Sequence, residues 1–498
     1  MADRVFITLA KAGTLANRSP KEISYLTYIG TLEMRRIDNV FVVPLDQVMA
    51  LTSVEIDAGS GIQEPVDAYV SDDDAADDVG DEADRKVRSR SVLAVVTDPP
   101  TGVIALTDYL YVLIREHNPP KRTPKAADDA RFKASLLSFA YAIATIALMR
   151  IPPHNGVGVA FGEAKYIGSD ISVTALRTIR NALKELGLIV YRGGFNDPLD
   201  ATKSFTTGIR HTGEFADLLK TYGVTPEDVF TSPVEVIAIR DATDLSVKMP
   251  EDVAASAAVL CRYNAVVQGS KLTLPDASWM ELQRRVIKAD GTGKTHKLHR
   301  GYDEHRIYLT RRFAETWDRG GRLYDAHYQV MPKDIRGELL IDGEPTVELD
   351  YHRLHPRMLF NQEGLDLDRD PYEVPGFDVP LEAAKETFNR LLNSRKKISF
   401  RPKDREYFTR KGTFNSYRDA MISHLKPISH RFQSDGGAQL QKLDSRIALN
   451  VIERCMDEDI AVYPVHDSFI VKYCNKQRLK IIMHEEYFKL MGFGCVVK

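Results

Sequence analysis

Two segments of this chain share a pattern that constrains its fold more than any other feature: a short apolar run that ends on, or is broken by, one aspartate. The first is TVELDYHRLHPRMLF and the second is IAVYPVHDSFIVKY. In the first, Val347 and Leu349 alternate with polar neighbours, the period of a strand, and deliver Asp350 at the strand end. LHPRMLF then opens a helix. In the second, the apolar run is interrupted by His466-Asp467-Ser468 and resumes, the signature of a hairpin with an acid at its tip. A carboxylate held between Val465 and Phe469 is costly without a partner, and a metal ion is one such partner. Either aspartate alone reads more readily as a turn or capping residue; together they suggest a shared site.

Phosphoryl transfer to a sugar 3′-hydroxyl uses two divalent cations about 4 Å apart, clamped by carboxylates. Magnesium takes oxygen ligands and keeps several waters, so two aspartates on rigid strand ends and one backbone carbonyl are enough.

The surroundings of both aspartates resemble family A DNA polymerases and the related single-subunit phage RNA polymerases. Against that family's DYSQIELR, DYHRLHPR keeps Asp350, Tyr351 and Arg357 in register. Upstream, GRLYDAHYQVMPKDIRGELLIDGEP is similar to the family's GRLSS, LQNIP, Arg and turn succession at Gly321, Arg322, Leu323, Gln329, Pro332, Arg336 and Gly343. The family's third motif is His-Asp followed by Glu or Ser, here His466, Asp467 and Ser468; QLQKLD before it keeps Gln439 and Asp444 of QGTAAD. The resemblance implies an α+β architecture, a right-hand palm and fingers over 316–498.

It also implies roles. Asp350, Asp467 and the Tyr351 carbonyl would hold two Mg²⁺ ions, with Mn²⁺ able to substitute. Lys385 in AAKETFNRLLNS is the counterpart of the fingers lysine on the triphosphate, with Arg390 and the Arg395-Lys396-Lys397 run nearby. Asn393 and Ser394 replace the family's Tyr-Gly, and Leu381 its Arg, so Lys385 also reads as a solvated helix lysine. His355 stands where the DNA enzymes carry the glutamate that excludes ribose, and Arg357 follows in the same motif. A histidine there either excludes ribose sterically or hydrogen-bonds its 2′-hydroxyl, which leaves sugar choice open. Arg322, Gln329, Gln439 and His466 would face primer and template.

The remaining sequence supplies context. With 498 residues, the chain is long enough for two to four domains. No stretch approaches the roughly 18 apolar residues of a membrane span. No secretory signal is evident, and Cys261, Cys455, Cys474 and Cys495 form no CxxC pattern, which fits a reducing cytoplasm. The net charge of −3 hides an uneven distribution: DDDAADDVGDEAD (72–84) carries eight acids, whereas 390–431 carries twelve Lys/Arg against three acids. The acidic run reads as a disordered linker over 71–87, between an unassigned region (1–70) and a mainly helical half. The basic run, between two catalytic motifs, suits nucleic acid, although a solvated basic surface is the plainer alternative.

Within 88–244, SVTALRTIRNALKELGLIVYRGGF and SFTTGIRH predict helix, strand, turn and strand, the order of a winged-helix module. Ala175, Leu176, Ile179, Leu183 and Leu186 line the inner face, Arg177, Arg180 and Lys184 lie on others, Gly187 ends the helix, and Arg192 follows in the strand. A purely structural αββ unit is the alternative. Residues 245–315 read as a connecting, thumb-like region, and no exonuclease motif is found in 1–300.

These expectations describe a template-dependent DNA polymerase without proofreading, taking DNA template, primer and nucleoside triphosphates, of phage or mobile-element type. An RNA polymerase or primase on the same palm is the second reading, favoured by Ser468 and His355. A DNA-binding replication or regulatory protein with a degenerate palm is the third.

Overall fold

The computed structural model describes residues 93–498, apart from 94–95, 97, 154–155, 160, 162–165, 167–168, 193–207, 234, 241–247 and 293–300. Of residues 1–92 it describes only the backbone of three short strands, β1 (Phe6–Thr8), β2 (Arg35–Ile37) and β3 (Val40–Pro44), paired antiparallel in the order β1-β3-β2. The acidic run at 72–84 lies outside the described residues, as does the turn after Arg192.

The described residues fall into two compact units, one built from 85–231 with 276–306, the other from 232–275 with 307–498. The division cuts through the stretch 245–315, which the sequence suggested was one connecting region. Leu272 and Thr273 pair into the second unit's sheet, and helix Asp276–Thr292 belongs to the first. Both units mix helix and sheet, as an α+β reading requires.

The first unit is organised by α1 (Thr101–His117), α2 (Ala126–Ala147) and α3 (Val173–Glu185). Phe132, Leu136, Phe139, Ala140 and Ile143 recur along α2 at helical spacing and are buried against Leu106 and Leu110 of α1 and Leu176, Ile179 and Leu183 of α3. Each of the larger side chains contributes about 1.5–3 kcal/mol of burial. Both ends of α3 are written in the sequence. The Ser172 side chain accepts from the Ala175 N–H at its start. At its end Gly187 (φ +75°) donates to Lys184 and Leu188 donates to Leu183, a Schellman closure that suits glycine. β5 (Ile189–Arg192) and β6 (Gly208–His211) follow, and with β4 (Val157–Gly158) they form an antiparallel sheet in the order β4-β6-β5. Helix, strand and returning strand thus occur in the expected order.

The second unit holds two sheets. In one, β7 (Ile237–Arg240) runs parallel to β9 (Thr310–Ala314), which pairs antiparallel with β10 (Thr316–Tyr324). Its register shifts at Gly320 and Gly321, where φ is +78° and +87°, and a Cβ on Gly321 would stand 2.7 Å from the Phe313 ring. The other sheet has the order β13-β14-β12-β11-β8, made of β8 (Leu272–Thr273), β11 (Leu340–Ile341), β12 (Glu344–Asp350), β13 (Val462–Val465) and β14 (Ser468–Lys472). Five helices flank these sheets: α4 (Glu251–Val266), α5 (Leu354–Gln362), α6 (Leu381–Asn393), α7 (Lys411–His424) and α8 (Gly437–Asp457), followed by α9 (Lys476–Met491). α8 buries Leu440, Ile447, Val451, Ile452 and Cys455, and packs on β10, β13 and α9. No described helix is long and apolar enough to cross a membrane.

α8 ends in a second Schellman closure: Ile460 donates to Cys455, Asp459 donates to Met456, and Asp459 adopts φ +54°. Its side chain is exposed, so nothing offsets the left-handed conformation. Asp459→Gly should stabilise the chain by about 0.5–1 kcal/mol, read as a higher urea midpoint at unchanged slope. An unchanged or lower midpoint would contradict this account of the turn.

Candidate active site

Antiparallel pairing of β12 with β14 sets Val347 opposite Val471, Leu349 opposite Phe469 and Asp350 opposite Ser468. β13 and β14 form a hairpin in which Val465 faces Ser468, leaving His466 and Asp467 as its two-residue turn. The Tyr351 N–H donates to the Asp467 carbonyl at 3.4 Å, so the two aspartates predicted from sequence end on adjacent strand termini. On the other edge, residues 496–498 run beside the end of β12: Asp350 donates to Lys498 (3.1 Å), Lys498 to Asp350 (3.0 Å) and His352 to Val496 (2.8 Å). Strand alternation then directs the N–H and carbonyl of Tyr351 to the Asp467 edge. The buried Tyr351 hydroxyl donates to Met483 (2.6 Å), and burial pushes its pKa well above the ordinary value.

Both acid-bearing connections contain a non-glycine residue in the left-handed region, Arg353 (φ +56°) after Asp350 and His466 (φ +58°) before Asp467. Such conformations cost about 1–3 kcal/mol and persist where surrounding contacts over-determine them. His466 packs edge-on to Tyr324, 5.4 Å between ring centres.

Among the described residues no group of three or more His, Cys, Asp and Glu side chains is arranged to hold a metal ion. Two aspartates and the Tyr351 carbonyl would make an all-oxygen donor set, the kind suited to a cation that keeps most of its waters. A third acid, Glu348, lies two residues before Asp350 on the same face of β12. Arg336 grips it with two bonds of 2.9 Å, and Ser468 Oγ donates to it at 2.7 Å. Burial raises the Glu348 pKa, but Arg336 first and then Ser468 more than offset this and hold it below the ordinary range. The sequence flagged Arg336 only as a register match and missed Glu348. The available signal was an acid at i−2 from Asp350 on a strand.

The second unit holds a further buried polar cluster. Asp444 of α8 accepts from Arg322 of β10 at 3.0 and 2.7 Å, and His355 Nε2 lies 2.8 Å from the same carboxylate oxygen. Burial raises the Asp444 pKa, and Arg322 and His355 together bring it below its usual value. Neighbouring Arg311 bonds Gly321, Ser256 and Ser445, its pKa lowered to about 10 chiefly by burial.

The other residues singled out by sequence divide into inward and outward groups. Gln329 is buried and clasps the carbonyls of Leu323 and Pro464, both at 3.1 Å. Arg357 is buried and bonds Asp366 at 3.1 Å. Arg390 is also buried, with Asp404 at 2.9 and 3.0 Å. These three side chains are committed to the protein's interior rather than to an open face. Arg395 is exposed but paired with Asp435 and Glu315. Lys385 is half-buried on α6, with no ion pair to it among the described residues, and Lys396, Lys397 and Gln439 are exposed. In the first unit, Arg177 is exposed and bonds the Phe161 carbonyl, while Arg180 lies over the rings of Phe161 and Tyr191 at 4.9 and 4.5 Å. Arg192 is described by its backbone alone, opposite Gly208.

No family model matches the chain, and no curated protein matches it. Among solved structures, the POL domain of Pol1 from M. smegmatis in complex with DNA primer-template and dNTP aligns at 13% identity, over 52% of this chain and 57% of that one, with a TM-score of 0.25. The chain thus spans little more than half of that domain, and an overlap at this score bears no functional weight.

The Arg322–Asp444 pair yields a stability prediction. Asp444→Ala strands a buried guanidinium, and the loss expected is about 3–5 kcal/mol of unfolding free energy by urea titration. A loss below about 1 kcal/mol would mean that the pair is solvated.

Proposed function

We propose that the second unit is a template-dependent nucleotidyltransferase of the DNA polymerase type, which extends a nucleic-acid 3′ end and lacks proofreading. The observation that carries this reading is the β12–β14 register, which brings Asp350 and Asp467 to neighbouring strand ends beside the Tyr351 carbonyl. Those three groups would hold two Mg²⁺ ions, or Mn²⁺, which when bound lower the pKa of the primer 3′-hydroxyl and neutralise charge on the departing pyrophosphate. The chain's own residues do the rest. Lys385 of α6, with no ion pair among the described residues, binds the triphosphate, with Lys396 and Lys397 adding positive potential. His466, braced by Tyr324, orients the primer terminus, while Arg322, buried in its pair with Asp444, supports the site from the interior. Gln439, exposed at the start of α8, faces the nascent pair. In the first unit, α3 and the β5–β6 hairpin act as a winged-helix-like grip on DNA, with Arg177 and Lys184 on exposed positions contacting phosphates.

One feature favours an RNA polymerase or primase as the second reading. His355 Nε2 is occupied by Asp444, which leaves Nδ1 as the nitrogen able to accept a hydrogen bond from a ribose 2′-hydroxyl. Incorporation of dNTPs against rNTPs on primed and unprimed templates separates the two.

The decisive variant is Asp467→Asn in the full chain, assayed with Mg²⁺ and with Mn²⁺. Incorporation should fall on the order of 10³-fold, because one carboxylate of the cation site is neutralised. DNA affinity at fixed salt should change little, since phosphate contacts come from Lys and Arg elsewhere. Equal incorporation by wild type and variant would sink the assignment.

A further inference from the structure

We infer that Arg336, Glu348 and Ser468 form a relay that fixes Asp467 relative to Asp350, and that Glu348 positions the site rather than binding its cations. The inference rests on the nucleotidyltransferase reading above. An acid two residues from Asp350, on the same strand face, would by position alone suggest a third cation ligand. Its hydrogen bonds point elsewhere. Glu348 Oε2 accepts from Arg336 Nε at 2.9 Å, while Oε1 accepts from Arg336 Nη2 at 2.9 Å and from Ser468 Oγ at 2.7 Å. Both oxygens are thus engaged in a charge-assisted fork, which is costly to break in a buried setting.

Each end of the relay is anchored. Arg336 is buried, and its Nη1 donates to the Met331 carbonyl at 3.1 Å, which holds the guanidinium plane. Ser468 is buried, is the strand partner of Asp350 and immediately follows Asp467. Its hydroxyl also lies 3.1 Å from the Val465 carbonyl, so Ser468 Oγ spans the hairpin turn that carries Asp467. That turn contains His466 in the left-handed region, a conformation that requires support from outside the turn. The relay supplies it, running from the short helix Lys333–Arg336 through β12 to the hairpin. Cation-bridged chemistry tolerates displacements of only about 0.5 Å in its ligands, so a hydroxyl that sets the turn acts on turnover more than on substrate binding.

The test compares Ser468→Ala, Ser468→Thr, Glu348→Gln and the double variant Glu348→Gln/Ser468→Ala with wild type in primer extension. It measures kcat, KM for dNTP and the Mg²⁺ half-saturation, with urea midpoints alongside. Ser468→Ala should lower kcat about 10-fold and raise the Mg²⁺ half-saturation. KM should stay within about 2-fold, the pattern of an interaction that matters chiefly in the transition state. Ser468→Thr keeps the hydroxyl and should recover kcat. The double variant should be no slower than Glu348→Gln alone, because both changes cut one relay. Unchanged kcat and Mg²⁺ dependence in Ser468→Ala would overturn the inference, and so would multiplicative losses in the double variant; either leaves the nucleotidyltransferase reading intact. A wild-type chain that incorporates no nucleotide overturns that reading and this inference with it.

Discussion

The pairing register of β12 with β14 is the constraint from which the candidate site follows. Because side chains alternate along a strand, a slip of one residue would turn Asp350 to the opposite face and separate it from the Asp467 turn. Resistance comes from the other face of the same strands, where Leu349 is buried opposite Phe469, and Val347 stands opposite buried Val471. A slip would bring these apolar groups towards the polar face at about 1.5–3 kcal/mol each. Main-chain bonds from residues 496–498 then hold the far edge of Asp350, and the Tyr351 N–H ties the near edge to Asp467. Hydrophobic burial on one side of the sheet therefore dictates where the charges stand on the other.

Around that frame the second unit buries several ion pairs. Arg322 with Asp444, Arg336 with Glu348, and Arg390 with Asp404 are three arginine–carboxylate pairs with little or no exposure. Ion pairs of this kind add little net stability compared with apolar replacements, yet they are expensive to break once in place. Their value here lies in placement. The first pair links α8 to β10, with His355 of α5 on the same carboxylate, and the second links a short helix to β12 and the hairpin. The third closes α6 onto the residues that follow it, where Arg401 also reaches Asp404. Each holds its arginine in one orientation.

The legible parts of the sequence were those in which local pattern and long-range contact agree. Alternation before Asp350 announced a strand and the interrupted run around Asp467 a hairpin, and Ser172 and Gly187 marked both ends of α3 because capping is a local affair. Partners distant in sequence could not be read. Arg390 sits within a basic run and looked available for phosphate, but Asp404, fourteen residues on, takes it inward. Gln329 and Arg357 matched motif positions, and spacing does not tell a ligand contact from a clasp on a carbonyl, as at Gln329, or on a carboxylate, as at Arg357 with Asp366. Glu348 was overlooked for the converse reason: its partners Arg336 and Ser468 lie 12 and 120 residues away. The stretch 245–315, read as one connecting, thumb-like region, contributes 276–306 to the first unit and the residues on either side to the second, a split that depends on long-range packing and not on local pattern.

The central claim is that Asp350 and Asp467 share divalent cations, and the most direct measurement is anomalous scattering from Mn²⁺ in crystals of the chain with a primer-template and a non-hydrolysable nucleotide. The account predicts two peaks about 4 Å apart, each within bonding distance of carboxylate oxygens from Asp350 or Asp467, with the Tyr351 carbonyl on one of them. Manganese found only elsewhere, or the two carboxylates turned apart with no ion between them, would contradict it.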